Sequence, residues 1–222
     1  MTFHPEVMPA AQQETLRLLG PFAAEHGFYL GGGTAVAIHL GHRRSIDLDW
    51  FSPDPFPDPM RLAAALREGG GEPGVESVDE GTLHAVVGDV RVSFLEFRYP
   101  TLRPTLEWPA YRCRLAALED LACMKLSAIA NRGARKDFVD LYALGRSGLA
   151  LDRMLDLYRE KFQTREVGHV VFSLTYFEDA EAEEMPEMLW ELTWDEVKDT
   201  VRRWVLDLAR RQVPPAPPPD GG

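Results

Sequence analysis

A chain of 222 residues with 45% apolar and 27% charged side chains has ample material for a large hydrophobic core. No apolar run approaches the length that spans a bilayer, and the start, MTFHPEVMPA, lacks a basic region followed by an apolar one, so the expectation is a cytoplasmic protein with no membrane association. The net charge of −11 excludes a uniformly basic nucleic-acid binder, but ten acidic residues against one lysine fall between Glu178 and Asp199 alone. Basic residues gather elsewhere: His42-Arg43-Arg44, then Arg98, Arg103, Arg112 and Arg114, then Arg132, Arg135 and Lys136. The first and third groups suggest a local positive groove; the Arg98 to Arg114 set reads as ordinary solvated side chains. Cys113 and Cys123 lack metal-ligand spacing and read as reduced, half-buried thiols.

In chain order, Pro9 to His26 spaces Leu16, Leu18, Leu19, Phe22 and Ala23 as an amphipathic helix, with a break or kink expected at Gly20-Pro21. An apolar approach, Phe28 to Leu30, enters Gly31-Gly32-Gly33-Thr34, a turn whose missing β-carbons let backbone N–H groups approach a phosphate as a helix starts. The helix runs from Ala35 to Leu40 and stops at Gly41. Ser45 to Trp50 then alternates polar with apolar, which predicts a strand. On it Asp47 and Asp49 share one face, while Ile46, Leu48 and Trp50 point to the core. Adjacent carboxylates repel each other, and a divalent cation such as Mg²⁺, with Mn²⁺ as an alternative, removes that repulsion while also accepting substrate phosphates. Glycine-rich turns and Asp-x-Asp pairs are each common; in this order and at this spacing they define a phosphate cradle followed by a metal clamp.

Ser52 to Pro59 is a proline-dense loop, followed by a short helix from Met60 to Arg67. Thr82 to Val87 and Val90 to Phe97 flank Gly88-Asp89 as a hairpin that extends the sheet beside the Asp-x-Asp strand. Helices follow over Leu115 to Asn131 and Arg135 to Leu144, broken by Gly133, so Lys125 and Asp137 come from consecutive helices. Spacing alone makes Lys125 a surface lysine with its stem on the core. Asp137 and Asp140 share a helix face, and one of them pairs with Arg135 or Lys136 in the simplest reading. A helix covers Leu151 to Phe162, Glu166 to Leu174 fits helix or strand, and Tyr176 to Glu191 is an acidic loop containing Pro186. Thr193 to Glu196 is a capping box opening a helix with Val197, Val201, Trp204, Val205 and Leu208 on one side. Val213 to Gly222 is proline-rich and expected to be disordered. His39 and His42 have no third ligand nearby, which argues against zinc, and His4, His26, His84 and His169 are scattered.

Residues 30–51 resemble the nucleotidyltransferase domain of the AbiEii/AbiGii toxin family, in the DNA polymerase β-like superfamily, with its glycine turn, helix and Asp-x-Asp strand. The segment MKLSAIANRGARKDFVDLYAL, from Met124 to Leu144, is similar to that family's downstream lysine and Lys-Asp-x-x-Asp-Leu motif, and residues 174–181 also match. The resemblance implies an α+β fold with a mixed or antiparallel sheet and flanking helices. It would consist of a core over residues 1–110, a helical region over 111–212 completing the site, and the tail from 213. It implies an Mg²⁺-dependent transfer of a nucleotide monophosphate from an NTP to an acceptor hydroxyl, on RNA such as a tRNA end or on a protein, by a toxin paired with a cognate antitoxin. The metal would sit on Asp47 and Asp49, which with Lys125 and Asp137 form the catalytic set. Gly32, Gly33, Thr34, Arg43, Ser45 and Lys125 would bind the nucleotide. Relatives of this superfamily place a third carboxylate on the hairpin strand, where this chain has Ser93. Glu96, three residues on, belongs to the opposite face, which leaves Glu96, Asp137 and Asp140 as candidates to compensate. The missing carboxylate also supports a rival reading, a non-catalytic nucleotide- or partner-binding module.

Overall fold

Leu16, Leu19 and Ala23 form the buried stripe of α1 (Ala10–Glu25), the first helix in a computed structural model that describes residues 2–56 and 58–212. The helix passes Gly20 and Pro21 without interruption, contrary to the break expected there. Gly20 answers a packing need: the Tyr111 backbone crosses so closely that a β-carbon would stand 2.1 Å from its carbonyl oxygen. The tail expected from Val213 lies outside the described residues. No described helix is long and apolar enough to cross a membrane.

Among the described residues seven strands form one mixed sheet: β1 (Tyr29–Leu30), β2 (Leu48–Ser52), β3 (Pro73–Asp79), β4 (Thr82–Val87), β5 (Val90–Glu96), β6 (Leu106–Trp108) and β7 (Cys113–Leu115), in the order β3-β4-β5-β2-β1-β7-β6. β2 pairs with β5 and β1 with β7 in parallel; the other four pairings are antiparallel. The hairpin over Gly88-Asp89 forms as expected, and its second strand lies against β2. β3, β6 and β7 carry no clear period-two signal, being either a mostly exposed edge or only three residues long.

Helix α3 (Pro59–Glu68) packs over β3 and β4, and α1 over β2, β5 and β7, burying Leu83, Ala85, Val92 and Phe94. The opposite face of β4 and β5 carries Thr82, His84, Arg91, Ser93 and Leu95, all at least partly exposed. Helix α2 (Gly32–Leu40) packs on α4 (Leu118–Arg132) and α5 (Arg135–Arg146). Then come α6 (Leu151–Phe162), α7 (Gly168–Ser173), which resolves the ambiguous segment as helix, and the single turn α8 (Glu178–Glu181). The last helix, α9 (Trp194–Gln212), starts at the expected capping box: the Thr193 N–H donates to Glu196 Oε2 at 2.7 Å, and the Glu196 N–H to Thr193 Oγ1 at 3.3 Å. Cys113 and Cys123 are fully buried rather than half-buried, and burial pushes both thiols up to about 12, so they are packing residues.

Candidate active site

β2 runs back antiparallel to β1, so the N-terminus of α2 meets the Asp47-Asp49 segment, and the Gly31 N–H donates to the Asp49 carbonyl at 2.9 Å. The glycines are required by side chains as much as by any ligand. Gly32 has φ of 63°, and a β-carbon there would lie 2.7 Å from Asp49 Oδ2; one on Gly33 would lie 2.4 Å from Arg43 Nη2. Without those β-carbons the first turn of α2, whose N–H groups have no acceptor within the helix, sits directly against Asp49 and Arg43. The helix thus begins at Gly32, not Ala35, and Gly32 and Gly33 belong to its first turn.

Asp49 lies on β2, but Asp47 precedes the strand, and Ile46 is 58% exposed, contrary to the core position expected for it. The approach to the strand is braced instead by hydrogen bonds. The Asp47 carbonyl accepts from the Thr34 hydroxyl and from Gln12 Nε2, the latter at 3.1 Å, and the Ser45 N–H donates to the Val7 carbonyl at 3.1 Å. Thr34 Oγ1 and Ser45 Oγ are 2.7 Å apart. The Asp47 carboxylate reaches out to Arg91 Nε at 3.3 Å and Lys136 Nζ at 3.9 Å. Among the described residues no cation is in ion-pair contact with Asp49. Burial first, then the charge of Asp47, push its carboxyl above the ordinary carboxylate range, partly offset by a hydrogen bond from the Ser93 hydroxyl. The two carboxylates side by side fit a divalent cation, although among the described residues no three His, Cys, Asp or Glu side chains group as metal ligands.

The other two aspartates are already neutralised. Asp140 accepts Arg43 Nε at 2.7 Å and Nη2 at 2.9 Å, His42 Nε2 at 2.8 Å, and pairs with Lys125 Nζ at 2.6 Å. Asp137 accepts Lys125 Nζ at 2.8 Å and Arg132 Nε and Nη2 at 2.8 and 3.0 Å. Burial opposes ionisation of both, yet Arg43 and Lys125 hold Asp140 well below the carboxylate range, and Lys125 and Arg132 lower Asp137. Burial keeps His42 neutral, so its Nε2–H donates to Asp140. Neither aspartate pairs with Arg135 or Lys136, correcting the simplest sequence reading; Arg135 turns away to the carbonyls of Ala180 and Glu181 and the ring of Trp194. Lys125 is buried, not a surface lysine.

These groups border one cavity of about 750 Å³. Its lining includes Gly32, Gly33, Thr34, Arg43, Ser45, Asp47, Asp49 and Lys125, all nominated from sequence; Asp137 stands behind Lys125 and Arg132. Arg44, Arg91, Arg132 and Lys136 bring the lining cations to six, against the carboxylates of Asp47, Asp49 and Glu187. The expected positive groove is therefore real on a protein of net charge −11. The Arg98 to Arg114 set does not line it, as expected. Arg91 was not legible in sequence, since only the parallel β2–β5 register carries it to Asp47. The acidic segment after α8 also contributes unexpectedly: Met188 bridges to Arg43, Arg44 pairs with Glu187 at 2.7 Å, and Pro186 and Glu187 form one rim. Ser93 pairs in register with Asp49, whereas Glu96 lies outside the cavity, bound to Arg98; neither it, Asp137 nor Asp140 fills the third-carboxylate position.

A mixed sheet with a glycine-started helix over paired aspartates and a facing lysine defines a nucleotidyltransferase fold. Solved structures agree: JHP933 from Helicobacter pylori superposes with a TM-score of 0.55 at 14% identity over 95% of this chain and 94% of its own. MenT4, a nucleotidyltransferase toxin from Mycobacterium tuberculosis H37Rv, superposes with a TM-score of 0.55 at 17% identity over 88% of this chain and 82% of its own. The family model for the nucleotidyl transferase AbiEii toxin of type IV toxin–antitoxin systems matches residues 16–211, and the chain belongs to that family. The uncharacterized protein aq_aa25 of Aquifex aeolicus (strain VF5) is 35% identical over 200 residues, which is 88% of this chain and 95% of its own.

Proposed function

We propose that the protein transfers a nucleotide monophosphate from an NTP to an acceptor hydroxyl, as the toxin of a pair whose antitoxin restrains it in the cytoplasm. The observation that carries this reading is the convergence, on one cavity, of the α2 N-terminus, the Asp47-Asp49 pair, whose Asp49 carboxyl is raised by burial and by the charge of Asp47, and Lys125. Asp47 and Asp49 would hold Mg²⁺, or Mn²⁺ in its place, which when bound supplies charge neutralisation at the reacting phosphate. The first-turn N–H groups of α2 and the cations of Arg43 and Lys125 hold the triphosphate, while Arg132 and Lys136 widen the positive field. Asp137 and Asp140 act as positioning residues, fixing Lys125, Arg43 and Arg132 before substrate arrives. The acceptor oxygen forms a bond to the α-phosphorus as the bond to pyrophosphate breaks. The basic rim suits RNA, including a tRNA end, with a protein hydroxyl as the other acceptor class.

The test is incubation of the purified protein and its Asp49→Asn variant with Mg²⁺, each α-labelled NTP in turn, total RNA and cell lysate. Label carried to a macromolecule by the native protein alone supports the reading, and nuclease sensitivity of the labelled band names the acceptor class. One observation favours a second reading, a nucleotide-binding module without turnover: serine, not a carboxylate, stands beside Asp49 on β5. Mg²⁺-dependent NTP binding with no label transferred, in Mg²⁺ or Mn²⁺, would establish it.

A further inference from the structure

The face of the sheet that carries Asp49 changes character along its strands. Asp47 and Arg91 meet at one end, Asp49 pairs with Ser93 in the middle, and Phe51 pairs with Leu95 at the other. Alternation puts Asp49 and Phe51 on one side of β2, about 7 Å apart. Phe97, whose N–H donates to the Ser52 carbonyl at 2.7 Å, adds a third apolar side chain, its ring 5.7 Å from that of Phe51 and at 75° to it. Across the cavity α4 offers Met124, Ser127, Ala128 and Asn131, spaced so that they share one helix face. Gly31 closes the inner end: a β-carbon there would lie 2.6 Å from the Phe51 ring and 3.3 Å from Met124 Cε. Leu95, Phe97, Met124 and Ala128 are only half-buried, so the cavity has an open apolar end. Phe97 is also held from behind by two buried charges. Lys161 Nζ stands 5.3 Å over its ring and donates to Asp120 at 2.6 Å and to the Pro100 carbonyl at 2.9 Å, and Asp120 accepts the Leu102 N–H at 2.9 Å.

We propose that this apolar end is the slot for the nucleobase, which it grips by the faces of the ring and not by its edge. This rests on the nucleotidyl-transfer reading, since phosphates at Lys125 and a metal at Asp49 fix where the rest of the nucleotide must lie. Lys125 and Met124 are adjacent on α4, so the slot opens directly from the phosphate end, and the distance from Asp49 to Phe51 leaves room for the ribose. The Asp47 end, where Arg91 and Lys136 gather, suits phosphate oxygens and not an uncharged ring. Within the slot the two polar side chains bond to each other, Asn131 Nδ2 donating to Ser127 Oγ at 3.3 Å. Stacking and apolar contact therefore supply the grip, and every base has faces to offer. Lys161 and Asp120 are positioning residues: they fix the loop that carries Phe97 before the base arrives.

The experiment is calorimetric titration in Mg²⁺ of the native protein, Phe97→Ala and Ala128→Leu. The ligands are each of the four NTPs and inorganic tripolyphosphate, which has the phosphates but no base, and thermal unfolding of each variant accompanies the titrations. The native protein should bind the four NTPs within about tenfold of one another. Phe97→Ala should bind every NTP about tenfold or more weakly, while its affinity for tripolyphosphate stays within about twofold of native. Ala128→Leu narrows the slot from the helix side without removing any packing, so it should show the same selective loss, and it carries the test if Phe97→Ala does not fold. Unchanged NTP affinity in a folded variant, or a loss shared equally by tripolyphosphate, would overturn the inference while leaving nucleotidyl transfer standing. A spread among the four NTPs wider than about tenfold would show that the edge is read, and would overturn the grip by faces. Failure of the native protein to bind any NTP would overturn both.

Discussion

Asp47 and Asp49 on one side of the cavity, and Asp137 and Asp140 on the other, are the same residue type in the same 750 Å³ neighbourhood, yet their surroundings are opposite. The second pair is held by two buried cations, Arg43 and Lys125, with Arg132 at the edge and a neutral histidine adding a fourth donor. Asp49 has only a serine hydroxyl, with a second carboxylate as its neighbour. The compensated pair orders cations that face the cavity. Asp47 reaches Arg91 and Lys136, whereas Asp49 is left short of positive charge, which a cation bound in the cavity would supply. One wall thus carries an electrostatic deficit at Asp49, while the other is a network of two carboxylates held by three cations.

Asp140→Ala should break this comparison most severely. It leaves Arg43 and Lys125 short of a partner inside the protein, and stranding buried charge costs about 3–5 kcal/mol. Urea unfolding at neutral pH measures the loss directly. The pH dependence has a defined sign. Because the folded carboxyl lies below its ordinary value of 3.8, its contribution is complete above that value and is lost only as pH falls through the lower folded value. The gap between native and variant should therefore persist through mild acid and close only well below pH 3.8. A loss under about 1 kcal/mol at neutral pH would mean that the cluster does not hold the two helices.

Gly32→Ala should have an intermediate effect and reach both walls. A residue with a β-carbon at φ 63° costs about 1–2 kcal/mol, and that β-carbon would also stand 2.7 Å from Asp49 Oδ2. Unfolding should register the first cost, and weaker Mg²⁺-dependent NTP binding the displaced carboxylate. Loss of stability with unchanged binding would show that Asp49 can shift aside, and that the helix start and the carboxylate are separable.

How much of this was legible depended on the range of the interaction. The glycine turn, the Asp-x-Asp pair, the Gly88-Asp89 hairpin and the Thr193 capping box are local patterns, and each appears where the sequence places it, give or take a few residues. What joins distant segments was not legible. Arg43 and Asp140 are 97 residues apart, and nothing in either neighbourhood announces the other. His84 looked like one of several scattered histidines until the β4–β5 register set it against Ser93. The acidic segment read as a loop of no assigned place, because its contacts with Arg43 and Arg44 arise only once the helices have packed. Asp137 illustrates the limit from the other side. The motif set it one helix on from Lys125, but only the structure shows that it touches the cations and not the cavity.

Asp49→Asn sharpens the comparison most, although its effect on stability is the smallest. For a carboxyl whose folded value lies above its ordinary 3.8, the folded state keeps its proton to higher pH than the unfolded chain does. Ionised Asp49 therefore costs stability. The cost is absent below pH 3.8, grows as pH rises towards the folded value, and is constant beyond it. Asparagine keeps the shape without the charge, so in metal-free buffer at neutral pH the variant should be more stable than the native protein, by on the order of 1 kcal/mol. That advantage, opposite in sign to the Asp140 result at neutral pH, should vanish in acid. Mg²⁺ with an NTP should raise the native unfolding temperature and leave Asp49→Asn nearly unmoved, since only a ligand that prefers the native protein's ionised site can shift its equilibrium. If Asp49→Asn instead loses several kcal/mol, as Asp140→Ala is expected to, the two walls are alike. Asp49 would then be a structural aspartate, and the deficit proposed to draw the metal in would not exist.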